Sequence, residues 1–199
     1  MQVPWRDAIA RLFVMVLGAA SCALLAGAAK DLTTLLIVPR ADLPDPNFRD
    51  SVVLVMNNLG PAPAGLIVNR PTRVTVAELF PDVPKLAHSG GKVYFGGPVD
   101  IGAVSFLVRA TAPPEHAVRV LEGLYLSTDG DLLRKLLERD QPLEGLRIFV
   151  GYAGWGPGQL EGEIARGDWT LTPANASAIF GATEHPWPTP AEVESGRRI

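Results

Sequence analysis

The residues whose types and spacing point to chemistry gather in one segment, Gly151-Tyr-Ala-Gly-Trp-Gly-Pro-Gly158, followed by Gln159 and Glu161. Its glycines permit close backbone approach and positive φ. It also leads from an apolar run into a helical pattern, and the first N–H groups of a helix attract anions. Two readings stand. The segment is a cradle for a phosphate or carboxylate, built by Tyr152, Trp155, Gly156, Gly158 and Gln159, or it is a tight crossover in which Trp155 plugs the core. Asn69-Arg70-Pro71 poses the same choice, because a guanidinium there either binds an anion or pairs with a carboxylate and fixes a strand end. Glu161 and Glu163 do not form an acid–base pair, since residues two apart on a helix point roughly 200° apart. Leu160 and Ile164 would face the core, with Gln159 and Glu163 flanking that stripe on one side and Glu161 on the other. Glu161 gains chemical interest where an arginine reaches it.

The rest of the chain narrows the chemistry. His88, His116 and His185 each stand alone in a Gly- or Pro-flanked stretch, with no partner at metal-ligand spacing, so no metal is expected. No Gly-x-Ser-x-Gly elbow and no phosphate-binding P-loop occurs, and no cofactor is expected. The single cysteine, Cys22, excludes an internal disulfide framework. A formal net charge of −3 over 199 residues supplies no global basic field to recruit nucleic acid. With 47% hydrophobic residues the chain can bury a full core, while 20 glycines and 18 prolines argue for many turns and against a helical bundle.

These residues must be positioned by short elements. Apolar, β-branched runs predict strands at 32–38, Val52 to Met56, Gly65 to Val68, Val93 to Phe95, Val104 to Val108, Ala117 to Leu121, Leu124 to Leu126 and Leu146 to Val150, with a last one at Trp169 to Leu171. Asp42 to Asn47 is dense in turn formers and reads as a loop. Thr75-Val-Ala-Glu78 fits a capping box opening a short helix. Ser127 or Thr128 is the expected cap of a helix over 130–138, with Leu132, Leu133, Leu136 and Leu137 on one face. Pro157 to Arg166 reads as a helix stopped by Gly167, and Asn175 to Phe180 as a final helical turn. The sum is a single compact α+β domain over about 30–183, with short helices flanking the sheet and a Pro-rich tail over 184–199.

Residues 1–29 form a separate problem. Arg6 and Arg11 precede an uncharged stretch from Leu12 to Ala29, which as a helix would reach about 27 Å, just short of the ~30 Å hydrocarbon core. Positive start, apolar run and an Ala26-Gly27-Ala28 exit describe a signal peptide or an N-terminal membrane anchor. Export to the periplasm, or tethering to the inner membrane through residues 12–29, is the expectation. Ala19-Ala20-Ser21-Cys22 is a degenerate lipoprotein box, and a start codon placed too far upstream would instead leave a cytoplasmic domain.

Four blocks in fixed order resemble the AlgH/YqgE family: Asp45-Pro-Asn-Phe48 with Ser51-Val-Val-Leu54, Gly65-Leu-Ile-Val-Asn-Arg-Pro71, Val93-Tyr-Phe-Gly-Gly-Pro98, and Gly151 through Glu161. The resemblance implies that family's α+β fold with a mixed, barrel-like sheet. It marks Asn69, Arg70, Gly96, Gly97, Tyr152, Trp155, Gln159 and Glu161 as motif positions and assigns none a catalytic role. Members are often labelled transcriptional regulators, whereas an exported domain would not meet the chromosome. The leading expectation is a non-enzymatic ligand- or partner-binding module, taking a small anion or a protein at one recessed surface where Arg70, Gly96 and Trp155 converge. The alternatives are an enzyme with a site assembled from Arg70, Tyr152 and Glu161, and the regulator of the family label.

Overall fold

The fold is seen in a computed structural model that describes residues 34–57 and 59–180. The expectations placed on residues 1–29, Cys22, His185 and the tail from 184 lie outside those residues. The apolar, β-branched runs become β1 (Leu35–Pro39), β2 (Val53–Met56) and β3 (Ala64–Ile67), an antiparallel set joined by turn-forming segments. Next come β4 (Pro71–Thr75), α1 (Val76–Leu79), a 3₁₀ turn (Pro84–Leu86), β5 (Lys92–Phe95) and the long β6 (Val99–Arg109). The chain continues through β7 (Ala117–Leu121), β8 (Leu124–Ser127), α2 (Gly130–Leu137), β9 (Leu146–Gly154), α3 (Gln159–Ala165), β10 (Trp169–Pro173) and α4 (Ala176–Phe180).

All ten strands belong to one curled, half-barrel sheet, ordered β10-β1-β2-β3-β9-β6-β8-β7, with β5 pairing β4 and β9. β9 is the hub: it is antiparallel to β6 and to the start of β3, and parallel to β5. That parallel pair makes the sheet mixed, as expected.

Side-chain alternation along the strands sorts the core into three clusters. Leu36, Leu54, Leu66, Leu107 and Phe149 build a cluster on the face that both halves of the sheet share, and Ile179 of α4 is buried in it. On the opposite side of the β5–β6–β9 half, Val93, Phe106 and Ile148 pack with Val76 of α1 and with Leu133 and Leu137 of α2. On the opposite side of the β1–β2–β3 half, Ile37, Val53, Val55 and Ile67 pack with Trp155, Leu160 and Trp169. The leucine face of α2 is thus oriented as its spacing predicts.

Three local readings are corrected. Pro71, which on sequence closes the strand Gly65 to Val68, instead opens strand β4. Proline has no N–H to give to a ladder, but at the first residue of a strand bonded only to β5 none is required. The cap of α2 is Asp129, whose carboxylate accepts from Leu132 N at 2.7 Å. Ser127 Oγ instead accepts from Asp129 N and donates to the His116 carbonyl. And α3 starts at Gln159 rather than Pro157, with Gly158 in the left-handed region at φ 74° as its cap. The capping box of Thr75 and Glu78 forms as expected.

Candidate functional site

The motif residues come first. The strand end at Arg70, the turn at Gly96 and the bend at Trp155 are neighbours: Phe95 N donates to Arg70 O, Ile67 N donates to Gly96 O, and Gly96 N donates to Val150 O. The space among them is filled. Phe48 stacks on Trp155 with ring centroids 6.1 Å apart and meets Trp169 edge-on at 5.4 Å, and Phe95 packs on the same cluster.

The polar groups of this face are engaged by the protein itself. Arg70 donates from Nη1 to Asn47 O at 2.6 Å and from Nη2 to Arg49 O at 2.8 Å, and its guanidinium lies 5.7 Å from the Phe95 ring centre. Burial pulls its pKa below the ordinary arginine value, with the nearby Asp50 carboxylate acting the other way. Asn69 accepts from Val52 N and donates to Asp50 O. Together they fasten the 47–52 segment, which carries Phe48, onto the sheet.

Gly96, Gly97 and Gly151 answer a packing demand. A Cβ on Gly97 would stand 2.2 Å from the Tyr152 carbonyl carbon, and one on Gly151, at φ 69°, would stand 2.3 Å from Gly97 O. The glycines let two backbones touch. Gly156 N donates to the Gln159 side chain at 3.0 Å, and Gln159 N, the first N–H of α3, donates to Gly156 O, so both have internal acceptors. Trp155 is buried in the core, the position of the plug reading. Tyr152 packs on the shared-face cluster, opposite Ala153 and Trp155. Glu161 is exposed, and no hydrogen bond or ion pair joins Arg70, Tyr152 and Glu161 among the described residues. The carboxylate that matters structurally is Glu163: its Oε2 accepts from Trp155 Nε1 at 2.9 Å and Trp169 Nε1 at 2.8 Å, while Oε1 accepts from Gln159 Nε2.

A recess with unengaged donors lies elsewhere, at the rim of the shared face beside α4. This cleft of about 540 Å³ is lined by Lys92 and Tyr94 of β5, Arg109 of β6, Arg139, Glu144 and Arg147, and Phe180 of α4, and it reaches Val76, Leu143 and Ile148 of the cluster on the other side of the β5–β6–β9 half of the sheet. Strand register builds it. Arg147 stands opposite Leu107 in the β6–β9 ladder, and Arg109 N donates to Gly145 O, so the two arginines sit on one diagonal of one face. Such diagonal neighbours have Cβ atoms about 7–8 Å apart, within reach of long side chains.

The electrostatics of the cleft are unusual. Arg147 is half-buried, donates from Nη1 to Val68 O at 2.9 Å, and lies 4.3 Å from the Tyr94 ring centre and 5.8 Å from that of Phe180. Burial lowers its pKa from the ordinary value, which records a guanidinium taken from water; it stays cationic regardless. Arg109 lies 5.7 Å from the Phe180 ring centre and reaches Ser177 Oγ at 3.5 Å. Arg139 is held by the carbonyls of Leu136, Pro142 and Glu144, and Lys92 by Arg73 O. Among the described residues none of these cations is ion-paired, whereas Arg40, Lys85, Arg134 and Arg166 all are. Carbonyls and rings hold the cleft cations in place without neutralising them. Of the cleft, the sequence reading had singled out only Tyr94, and that as one letter of a family block.

A family profile described as AlgH-like matches residues 35–192. The chain belongs to the AlgH-like family. An AlgH-like relative, a UPF0301 protein of Myxococcus xanthus, is 39% identical over 155 residues, covering 76% of this chain and 84% of that protein. A UPF0301 protein of Methylococcus capsulatus is also 39% identical over 155 residues, covering 75% and 84%. Among solved structures, the AlgH protein of Pseudomonas aeruginosa superposes with a TM-score of 0.63 at 27% identity, over 86% of this chain and 90% of that one. A Corynebacterium diphtheriae protein superposes at 0.60 and 23% identity, over 84% and 94%, which speaks to the fold alone. AlgH-like membership therefore accounts for the curled sheet and the motif blocks, and it brings no reaction with it.

Proposed function

We propose that this AlgH-like domain is a non-enzymatic binding module, and that its recognition surface is the cationic cleft around Arg147, where it takes a small anion. The observation that carries the reading is Arg147 itself. A guanidinium partly withdrawn from water without a counter-ion carries a desolvation cost that an arriving anion would offset. Here the neighbours are a backbone carbonyl and two aromatic rings. The lining contains no histidine, cysteine or serine, and no hydrogen bond joins Lys92, Tyr94 and Glu144 to one another among the described residues, so no preformed nucleophile–base pair suggests turnover. A recess of this size suits a small molecule better than a nucleic-acid backbone, which needs an extended cationic track.

The test is thermal denaturation at low ionic strength against millimolar inorganic phosphate, pyrophosphate and citrate. Saturable stabilisation by at least one anion, lost in Arg147→Gln and in Arg109→Gln but kept in the exposed Lys135→Gln, is expected. Equal shifts in all four proteins would mean non-specific salt effects and would remove the reading.

A further inference from the structure

Resting on that reading of the cleft, we infer that its ligand is a small organic phosphate, with the phosphoryl group on Arg147 and Arg109 and the organic part against Tyr94 and Phe180. The donor inventory excludes a simple carboxylate as the full complement. An ionised carboxylate offers two oxygens and about four lone-pair sites. Arg147 alone has one N–H engaged with Val68 O and the rest of its five free of any protein acceptor among the described residues. Arg109 adds a second fork whose sole protein partner there is the long contact to Ser177. A phosphoryl group brings three acceptor oxygens and a charge near −2, which matches two guanidiniums in number of donors and in charge.

Placement agrees with chemistry. The diagonal register of the β6–β9 ladder puts both arginines on one face, both guanidiniums lie within 5.8 Å of the Phe180 ring centre, and Arg139, anchored by three carbonyls, lines the same cleft. The phosphoryl group is an ester's rather than a free ion's because the cleft is far larger than one phosphate. At about 540 Å³ it lies within the ~300–1,000 Å³ typical of organic ligands. Tyr94 and Phe180 already flank the guanidinium of Arg147, so a flat organic group can extend the same stack.

Calorimetric titration of the full chain at low salt tests this with acetate, citrate, orthophosphate, ribose 5-phosphate and adenosine monophosphate. At least one ester is expected to bind ten-fold or more tightly than orthophosphate and acetate. Arg109→Gln should weaken that ester ten-fold or more, and Tyr94→Leu, which removes both the ring under Arg147 and the surface for the organic part, should weaken the ester by a larger factor than it weakens orthophosphate. Both variants are used at temperatures where their unfolding curves show them folded. Orthophosphate equal to every ester would refute the organic part, and acetate or citrate binding better than all phosphates would refute the phosphoryl group; in both cases the anion cleft survives. Failure of every probe at millimolar concentration overturns the proposal and the cleft reading together.

Discussion

Glu163 shows how much one side chain can decide. Its carboxylate accepts both indole N–H groups of the aromatic cluster and the amide of Gln159. Replacing it by leucine would strand the indole donors of two buried tryptophans, each a loss of about 1–3 kcal/mol, so Glu163→Leu should lower stability by about 2–6 kcal/mol. Glu163→Gln keeps one oxygen for the indoles and should cost about half as much. Urea unfolding followed by tryptophan fluorescence measures both, and a leucine variant as stable as the parent would show the bonds to be incidental. Sequence spacing had placed Glu163 beside the buried stripe of its helix but could not see that two tryptophans, eight and six residues away, meet there. Arg147 was missed for a related reason. It interrupts the apolar run Leu146 to Val150, a charged residue inside a strand, and that interruption was the available signal. What rewards it lies on other strands.

At the scale of elements, caps and fasteners dominate. Asp129→Ala should destabilise by about 1 kcal/mol through loss of the α2 cap, whereas Thr128→Val should be close to neutral, because the Thr128 hydroxyl is buried without a hydrogen bond among the described residues. Thermal unfolding of the two variants separates Asp129 from the cap expected on sequence grounds. Arg70 acts on the 47–52 segment through two carbonyls. Arg70→Met should leave the sheet folded yet make that segment more open to limited proteolysis, with cleavage near Arg49 the readout. Unchanged digestion would mean that the Phe48 ring contacts alone hold it. Boundaries were legible where local chemistry sets them, as at the Thr75 capping box, and blurred where pairing does. β4 exists because β5 offers it a ladder, and its own sequence begins with a residue that normally ends one.

The whole molecule responds to acid through carboxylates that folding favours in their ionised form. Backbone and side-chain bonds from Thr75 hold Glu78 below the usual carboxylate range, and the Lys85 bond does the same for Asp140. A carboxyl whose folded pKa is depressed contributes stability that is complete above its unfolded value and disappears as pH falls through the folded one. The unfolding midpoint should therefore be flat from neutral pH to about 5 and fall below about 4, and the Glu78→Gln, Asp140→Asn double variant should show a shallower fall. A double variant with the parent's acid slope would assign that loss to other groups. No helix among the described residues is long and apolar enough to cross a membrane, and the apolar stretch at 12–29 lies outside them.

From sequence alone came the short β-branched strands, the amphipathic helix faces, the turn-rich loops and the motif blocks that carry family membership. The strands, helix faces and loops follow from periodicity and local backbone preference, which act over a few residues, and the blocks from resemblance to a family. Tertiary structure decided which of those elements meet. It turned Asn69, Arg70 and the glycines toward internal contacts, since only the assembled sheet shows that the Gly97 and Tyr152 backbones touch. It also brought Arg109, Arg139, Arg147 and Phe180 to one rim, from segments up to 71 positions apart in the chain. Charge convergence of that kind depends on strand register and sheet curvature, and both are set by long-range pairing that no local pattern encodes.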